Sequence, residues 1–180
     1  MDATWTPPAA PSTTDFAIRP VRPAEHRALG EISARAYLDG GLLQYGADDP
    51  YLDLLRDVPR RAAEAEVLVA VDPDGTLLGG VTFVPSDGSP WADIAGPDEA
   101  EFRVLAVSGA ARGRGVGEAL VRACADRARA VDGCARLVLS VVPQARGARR
   151  LYDRMGFARA PQRDWEPLPG LPLLAYELTL

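Results

Sequence analysis

Arg112-Gly113-Arg114-Gly115-Val116-Gly117, followed by Glu118, stands directly behind the apolar stretch Phe102 to Val107 and opens a helical pattern. Glycines adopt turn angles closed to other residues and let a ligand approach the backbone, while free amides at a helix start attract anions. The chemistry on offer is a cradle for a diphosphate, with Arg112 and Arg114 adding positive charge. No Lys-Ser or Lys-Thr follows the glycines, and all 20 basic residues are arginine. A P-loop NTPase and a lysine Schiff-base enzyme are thereby excluded. A dinucleotide fingerprint is also excluded, because it wants Gly at the first position and an acidic strand end further on.

The elements that must hold this turn follow from periodicity. Val116, Leu120, Cys124, Ala128 and Val131 recur near helical spacing, with Glu118, Arg122, Asp126 and Arg129 on other faces, which predicts an amphipathic helix from about 113 to 130. Asp132-Gly133 ends it, and Arg136 to Val142 reads as a buried strand. The segment 148–157 predicts a short helix stopped by Gly156 and turning into another strand.

Two segments in this order, residues 105–120 ("LAVSGAARGRGVGEAL") and residues 148–157 ("ARRLYDRMGF"), resemble the acetyl-CoA motif and the downstream Leu-Tyr-x-x-x-Gly-Phe segment of the GCN5-related N-acetyltransferase (GNAT) superfamily. The resemblance implies an α/β (α+β) fold: a mixed, largely antiparallel central sheet of about seven strands, splayed between strands 4 and 5 and flanked by about four helices. It implies acetyl-CoA as cofactor and transfer of an acetyl group directly to a primary amine of a small molecule, amino acid derivative or peptide. Leu105, Ala106 and Val107 would offer main-chain groups to the pantetheine, and Arg112, Gly113, Arg114, Gly115, Val116, Gly117 and Glu118 would hold the diphosphate.

Within that frame Tyr152, in the Leu-Tyr-x-x-x-Gly-Phe segment, would return a proton to the departing thiolate, since a phenol can donate to a sulfur within hydrogen-bond reach. Glu101, by strand alternation on the side of Arg103, Leu105 and Val107, would face the cleft and draw a proton from the amine through water. It reads equally as a solvated strand-end carboxylate. Ser140 stands where some ribosomal-protein acetyltransferases carry a glutamate, and Ala145 replaces an asparagine often found there. Those departures leave open a non-catalytic acyl-CoA-binding module, or a purely structural domain that binds no CoA.

Along the rest of the chain, Phe16 to Val21 reads as a first strand, Ala24 to Leu38 as a helix ended by Gly40-Gly41, and 50–65 as helical, bent or restarted at Pro59. Val67 to Val71 and Leu77 to Val84 flank Asp72-Pro73-Asp74-Gly75 as a hairpin, residues 85–98 form a loop, and Leu173 to Leu180 is the last strand. Residues 1–15, rich in Pro, Ala and Thr, read as an unstructured tail before one domain over 16–180. At 180 residues and 47% hydrophobic content the chain buries one substantial core. No long apolar run or charged leader is read, so the expectation is a cytoplasmic protein without a membrane span. A net charge of -5 argues against broad nucleic-acid binding. Two cysteines and one histidine make no typical zinc site, so Cys124 and Cys134 read as free thiols and no metal is expected. Nothing in the sequence bars a homodimer. Asp48, Asp49, Asp53 and Asp57 read as a solvated helix face, Trp91, Tyr37 and Tyr45 as packing residues, and His26 as a surface residue.

Overall fold

A computed structural model describes residues 15–180, so the expected tail lies outside the described residues except for Asp15. The strands are β1 (Ala17–Pro20), β2 (Glu66–Val71), β3 (Leu77–Val84), β4 (Glu99–Val107), β5 (Arg136–Val141), β6 (Ala158–Arg159), β7 (Trp165–Leu168) and β8 (Leu171–Thr179). The α-helices are α1 (His26–Asp39), α2 (Tyr51–Arg56), α3 (Val58–Glu64), α4 (Val116–Ala130) and α5 (Arg146–Arg154). The sheet runs β1-β2-β3-β4-β5-β8-β6, with β7 also paired to β8. Among the described residues eight strands and five α-helices stand where about seven and about four were expected. The additional strand is β7, whose Pro167 gave it a poor strand pattern, and the additional helix comes from splitting the 50–65 segment.

That split falls at Asp57 rather than at Pro59. The Asp57 side chain accepts from the Arg60 amide at 3.2 Å and so caps α3, with Pro59 in the first turn where its missing N–H does no harm. From Val67 to Val71, β2 is an unbroken apolar run because both of its faces are covered. Leu68 and Ala70 join the core under α4, while Val67, Val69 and Val71 pack with Leu29 of α1 and Val58 of α3. α4 buries Val116, Leu120, Val121, Cys124, Ala125 and Ala128, one stripe at helical spacing. The Asp72 to Gly75 hairpin forms as expected, Gly75 donating to the Asp72 carbonyl at 2.9 Å.

Among the described residues all but one of the strand pairs are antiparallel. β4 and β5 run parallel and pair only through Glu99–Arg136, Ala100–Leu137 and Glu101–Val138. Beyond that point the two strands part, and this opening is the feature that positions the site. The root of the opening is clamped by Glu99, whose carboxylate takes Arg163 at 2.6 Å, Arg136 at 2.8 Å and the Gly96 amide at 2.8 Å. Burial alone would raise this carboxyl, but hydrogen bonds from Arg163, Gly96 and Arg136 outweigh it and bring it down to about 2. A carboxyl lowered by folding stabilises the protein above its unfolded pKa and loses that contribution as the pH falls through the folded value. Glu99 therefore contributes on the order of 3 kcal/mol at neutral pH, lost between about pH 4.5 and 2. Urea denaturation at stepped pH is expected to show this acid limb, and Glu99→Gln to flatten it at lower overall stability.

Candidate active site

A cavity of about 460 Å³ opens where β4 and β5 part. Its walls come from β4 (Phe102, Arg103, Val104, Leu105), β5 (Leu139, Ser140, Val141), α5 (Ala148, Tyr152), the end of α1 and the loop to α2 (Tyr37, Leu42, Leu43), and the β7–β8 hairpin (Trp165, Leu168, Leu171). Gln44 donates to the Pro169 carbonyl at 3.0 Å, so the loop before α2 and the tip of the hairpin meet over it.

The shape of β4 depends on a bulge. Its register against β3 slips between Ala106–Gly80 and Arg103–Thr82, and Val104 takes φ 52°, a left-handed conformation costly for a β-branched residue. Phe102, Leu105 and Val107 consequently pack toward α4, whereas Val104 joins Ala34, Leu52 and Leu55 on the opposite face. Simple alternation fails here, which corrects the expectation that Glu101 shares a side with Leu105 and Val107. β3 accommodates the bend through Gly79, where a Cβ would lie 2.4 Å from the Ala106 oxygen.

The close approach of that oxygen also shows that Ala106 turns its carbonyl toward β3. Ser108 likewise donates its amide to the Leu78 carbonyl at 2.8 Å, and ladder alternation then directs the Val107 main chain to the side β5 has vacated. Val107 thus turns its main chain away from β3 and Leu105 lines the cavity, whereas Ala106 faces β3.

At the turn from β4 into α4, Gly113 and Gly115 both have φ 79°, and a Cβ at either would meet nothing within 4 Å. The first amide of α4 with a backbone acceptor is that of Ala119, bonded to the Gly115 carbonyl at 3.0 Å. Among the described residues the amides of Gly115, Val116, Gly117 and Glu118 precede it without one, which leaves positive backbone dipoles at this turn. An anion such as a diphosphate fits this recess. Arg112 is exposed beside it. Arg114 is not available in the same way: its guanidinium pairs with Asp72 at 2.7 Å and with Asp15 at 3.1 Å. Glu118 pairs with Arg122 at 2.6 Å.

Tyr152 lines the cavity and is 3% exposed, its ring held by Phe102, Phe157 and Tyr176 with centroids 5.7 to 5.8 Å away. Burial pushes its phenol above the ordinary tyrosine range, and Cys124 and Tyr176 add to the shift. Glu101 is placed otherwise. It is fully buried and absent from the cavity wall, and its Oε2 accepts the amides of Asp93, Ile94 and Ala95 at 2.9, 3.0 and 3.1 Å. Burial raises its carboxyl, against the lowering effect of those amides. Glu101 is therefore neither a solvated strand end nor a cleft-facing group; it anchors the loop that brings Asp93 to the cavity. Asp93 and Arg103, which the sequence reading did not single out together, pair at 3.1 Å on the cavity wall.

Of the other residues considered, Tyr37 and Asp49 line the cavity, Trp91 is buried beside Arg103, and Tyr45 is 60% exposed. Cys124 is buried and Cys134 half-buried, both as free thiols. Among the described residues no helix is long and apolar enough to cross a membrane.

Residues 29–157 match the sequence profile of the Acetyltransferase (GNAT) family. A mycothiol acetyltransferase of Salinispora tropica is 32% identical over 161 residues, covering 84% of this chain and 48% of its own, so the chain spans about half the length of that relative. Among solved structures, a GCN5-related N-acetyltransferase from Kribbella flavida superposes with TM-score 0.67 at 27% identity, covering 92% of this chain and 98% of its own. The yncA protein of Salmonella typhimurium, solved with its cofactor acetyl-CoA, superposes with TM-score 0.65 at 25% identity, covering 92% and 94%.

Proposed function

The chain belongs to the acetyltransferase (GNAT) family, and from that membership we propose that it transfers an acetyl group from acetyl-CoA directly to a primary amine of a small molecule, amino acid derivative or peptide. The observation that carries this reading is the parting of β4 from β5 beyond the Glu101–Val138 pair, with an unpaired helix start behind β4 and Tyr152 on the cavity wall. Acetyl-CoA, when bound, supplies an activated thioester carbonyl.

The chain's own residues do the rest. The amides of Gly115, Val116, Gly117 and Glu118 hold the diphosphate, with Arg112 adding charge at the rim and the two left-handed glycines keeping the recess clear. The Arg114 side chain ties this turn to the β2–β3 hairpin through Asp72. Val107 and the β4 edge near Leu105 offer main-chain partners along the opening. Tyr152 keeps its proton because burial disfavours the phenolate, so its hydroxyl serves as a donor toward the departing sulfur. We assign Glu101 the placing of Asp93 rather than proton transfer, because three amides occupy one of its oxygens and it has no opening onto the cavity.

A thiol-detecting assay with acetyl-CoA and a library of primary amines tests the reading. Amine-dependent thiol release, with the acetylated amine found by mass spectrometry, is expected. Cofactor binding without amine-stimulated release would instead establish a binding module.

A further inference from the structure

The Asp93–Arg103 pair remains unexplained by acetyl transfer as such. Its side chains are 24% and 16% exposed, and both line the cavity. The pair is also firmly built. Glu101 holds the Asp93 amide and the two that follow, Arg103 donates to the Trp91 carbonyl at 3.1 Å, and its guanidinium lies 5.5 Å from the Trp91 ring centroid. Trp91 is fixed in turn by its Nε1 donating to Glu64 at 2.7 Å. Withdrawing two charges this far from water carries a desolvation penalty, and two apolar side chains of equal volume would serve the fold as well. A ligand with matching charges gives the pair a purpose.

We propose that Asp93 and Arg103 form the acceptor subsite for the charged end of a free α-amino acid, Asp93 taking the ammonium and Arg103 the carboxylate, with an apolar amino-acid side chain along Leu42, Leu43, Leu54 and Trp165. This names the acceptor class of the acetyltransferase site and rests on that reading. A simple alkylamine is a poorer match: its ammonium would meet Arg103 as well as Asp93, and it brings no carboxylate for the guanidinium. A zwitterion brings an opposite charge to each member, and the guanidinium fork suits a carboxylate.

The surroundings agree. Asp49, the other acid on the wall, is engaged by the amides of Tyr51 at 2.9 Å and Tyr45 at 3.0 Å, which leaves Asp93 as the acid available to an ammonium. Arg61 is 1% exposed and donates to Thr82 Oγ1 and the Leu55 carbonyl, and to no carboxylate among the described residues. Thr82 stands opposite Arg103 in the β3–β4 register, so Arg61 sets a second buried positive group beside Arg103. Glu101 Oε2 is occupied by three amides, and Glu101 does not line the cavity. Because Glu101 and Trp91 already orient the pair, binding orders little side-chain freedom.

Initial rates of thiol release from the full chain with acetyl-CoA test the proposal, comparing leucine, methionine and phenylalanine with isopentylamine, phenethylamine and leucinamide. The amino acids are expected to exceed their carboxylate-free counterparts by about 10²-fold in kcat/KM. Arg103→Met is expected to bring that ratio toward one, and should that variant not fold, the wild-type ratio decides alone. Equal or faster turnover of the carboxylate-free amines would overturn the subsite and leave the acetyltransferase reading standing. Absence of thiol release with every class of amine, despite acetyl-CoA binding by calorimetry, would overturn both.

Discussion

Tyr152→Phe is expected to lower kcat by about 10²-fold while leaving acetyl-CoA affinity nearly unchanged. The substitution removes one hydroxyl and keeps the ring, which Phe102, Phe157 and Tyr176 hold at centroid distances of 5.8, 5.7 and 5.8 Å. Packing is conserved, so a fall in rate reports the hydroxyl and not a cavity. The raised phenol pKa has a further consequence: the proton stays on Tyr152 past the ordinary titration of a tyrosine. The wild-type rate should accordingly show no loss from this group below about pH 10. Steady-state thiol release and calorimetry on the same preparations separate rate from affinity, and an unchanged kcat would remove Tyr152 from the chemistry.

Gly115→Asn is expected to weaken acetyl-CoA binding by about 10²-fold with only a small loss of thermal stability. Gly115 has φ 79°, and asparagine is among the few residues that tolerate this left-handed conformation. The space beside its Cα is open, so the new side chain finds room in the fold and occupies the recess that the ligand needs. An effect on affinity without an effect on melting then locates the diphosphate at this turn. Loss of one strong anionic contact and a steric block each carry about 1–3 kcal/mol, enough for a change of that size.

The parts of this site that could be read from sequence are those made by neighbours along the chain. A strand, a glycine turn and an amphipathic helix lie in succession from β4 to α4, and helical spacing identified the buried stripe Val116, Leu120, Cys124 and Ala128. Tyr152 is set by its local segment as well. What was not legible depends on distant partners. Arg114 looked like a ligand for anions because Asp72, which engages it, is 42 residues away. The bulge at Val104 places a valine against its own backbone preference; its one trace in the sequence is Gly79-Gly80 in the facing strand, where a paired loss of side chains signals a close backbone approach. Without the bulge, alternation carries Leu105 and Val107 to the side of Glu101. The roof over the cavity likewise joins Gln44 to Pro169 across 125 residues. The helix break at Asp57, by contrast, was within reach, since Asp followed two residues later by Pro is a helix-start pattern.

Isothermal calorimetry of acetyl-CoA with the wild-type chain and with Gly115→Asn tests most directly whether the unpaired amides behind β4 hold the cofactor. Saturable one-to-one binding to the wild type, lost or weakened about 10²-fold in a variant that melts close to the wild type, is the predicted result. Wild-type protein that gives no heat of binding, or a variant that binds as tightly as the wild type, would contradict it.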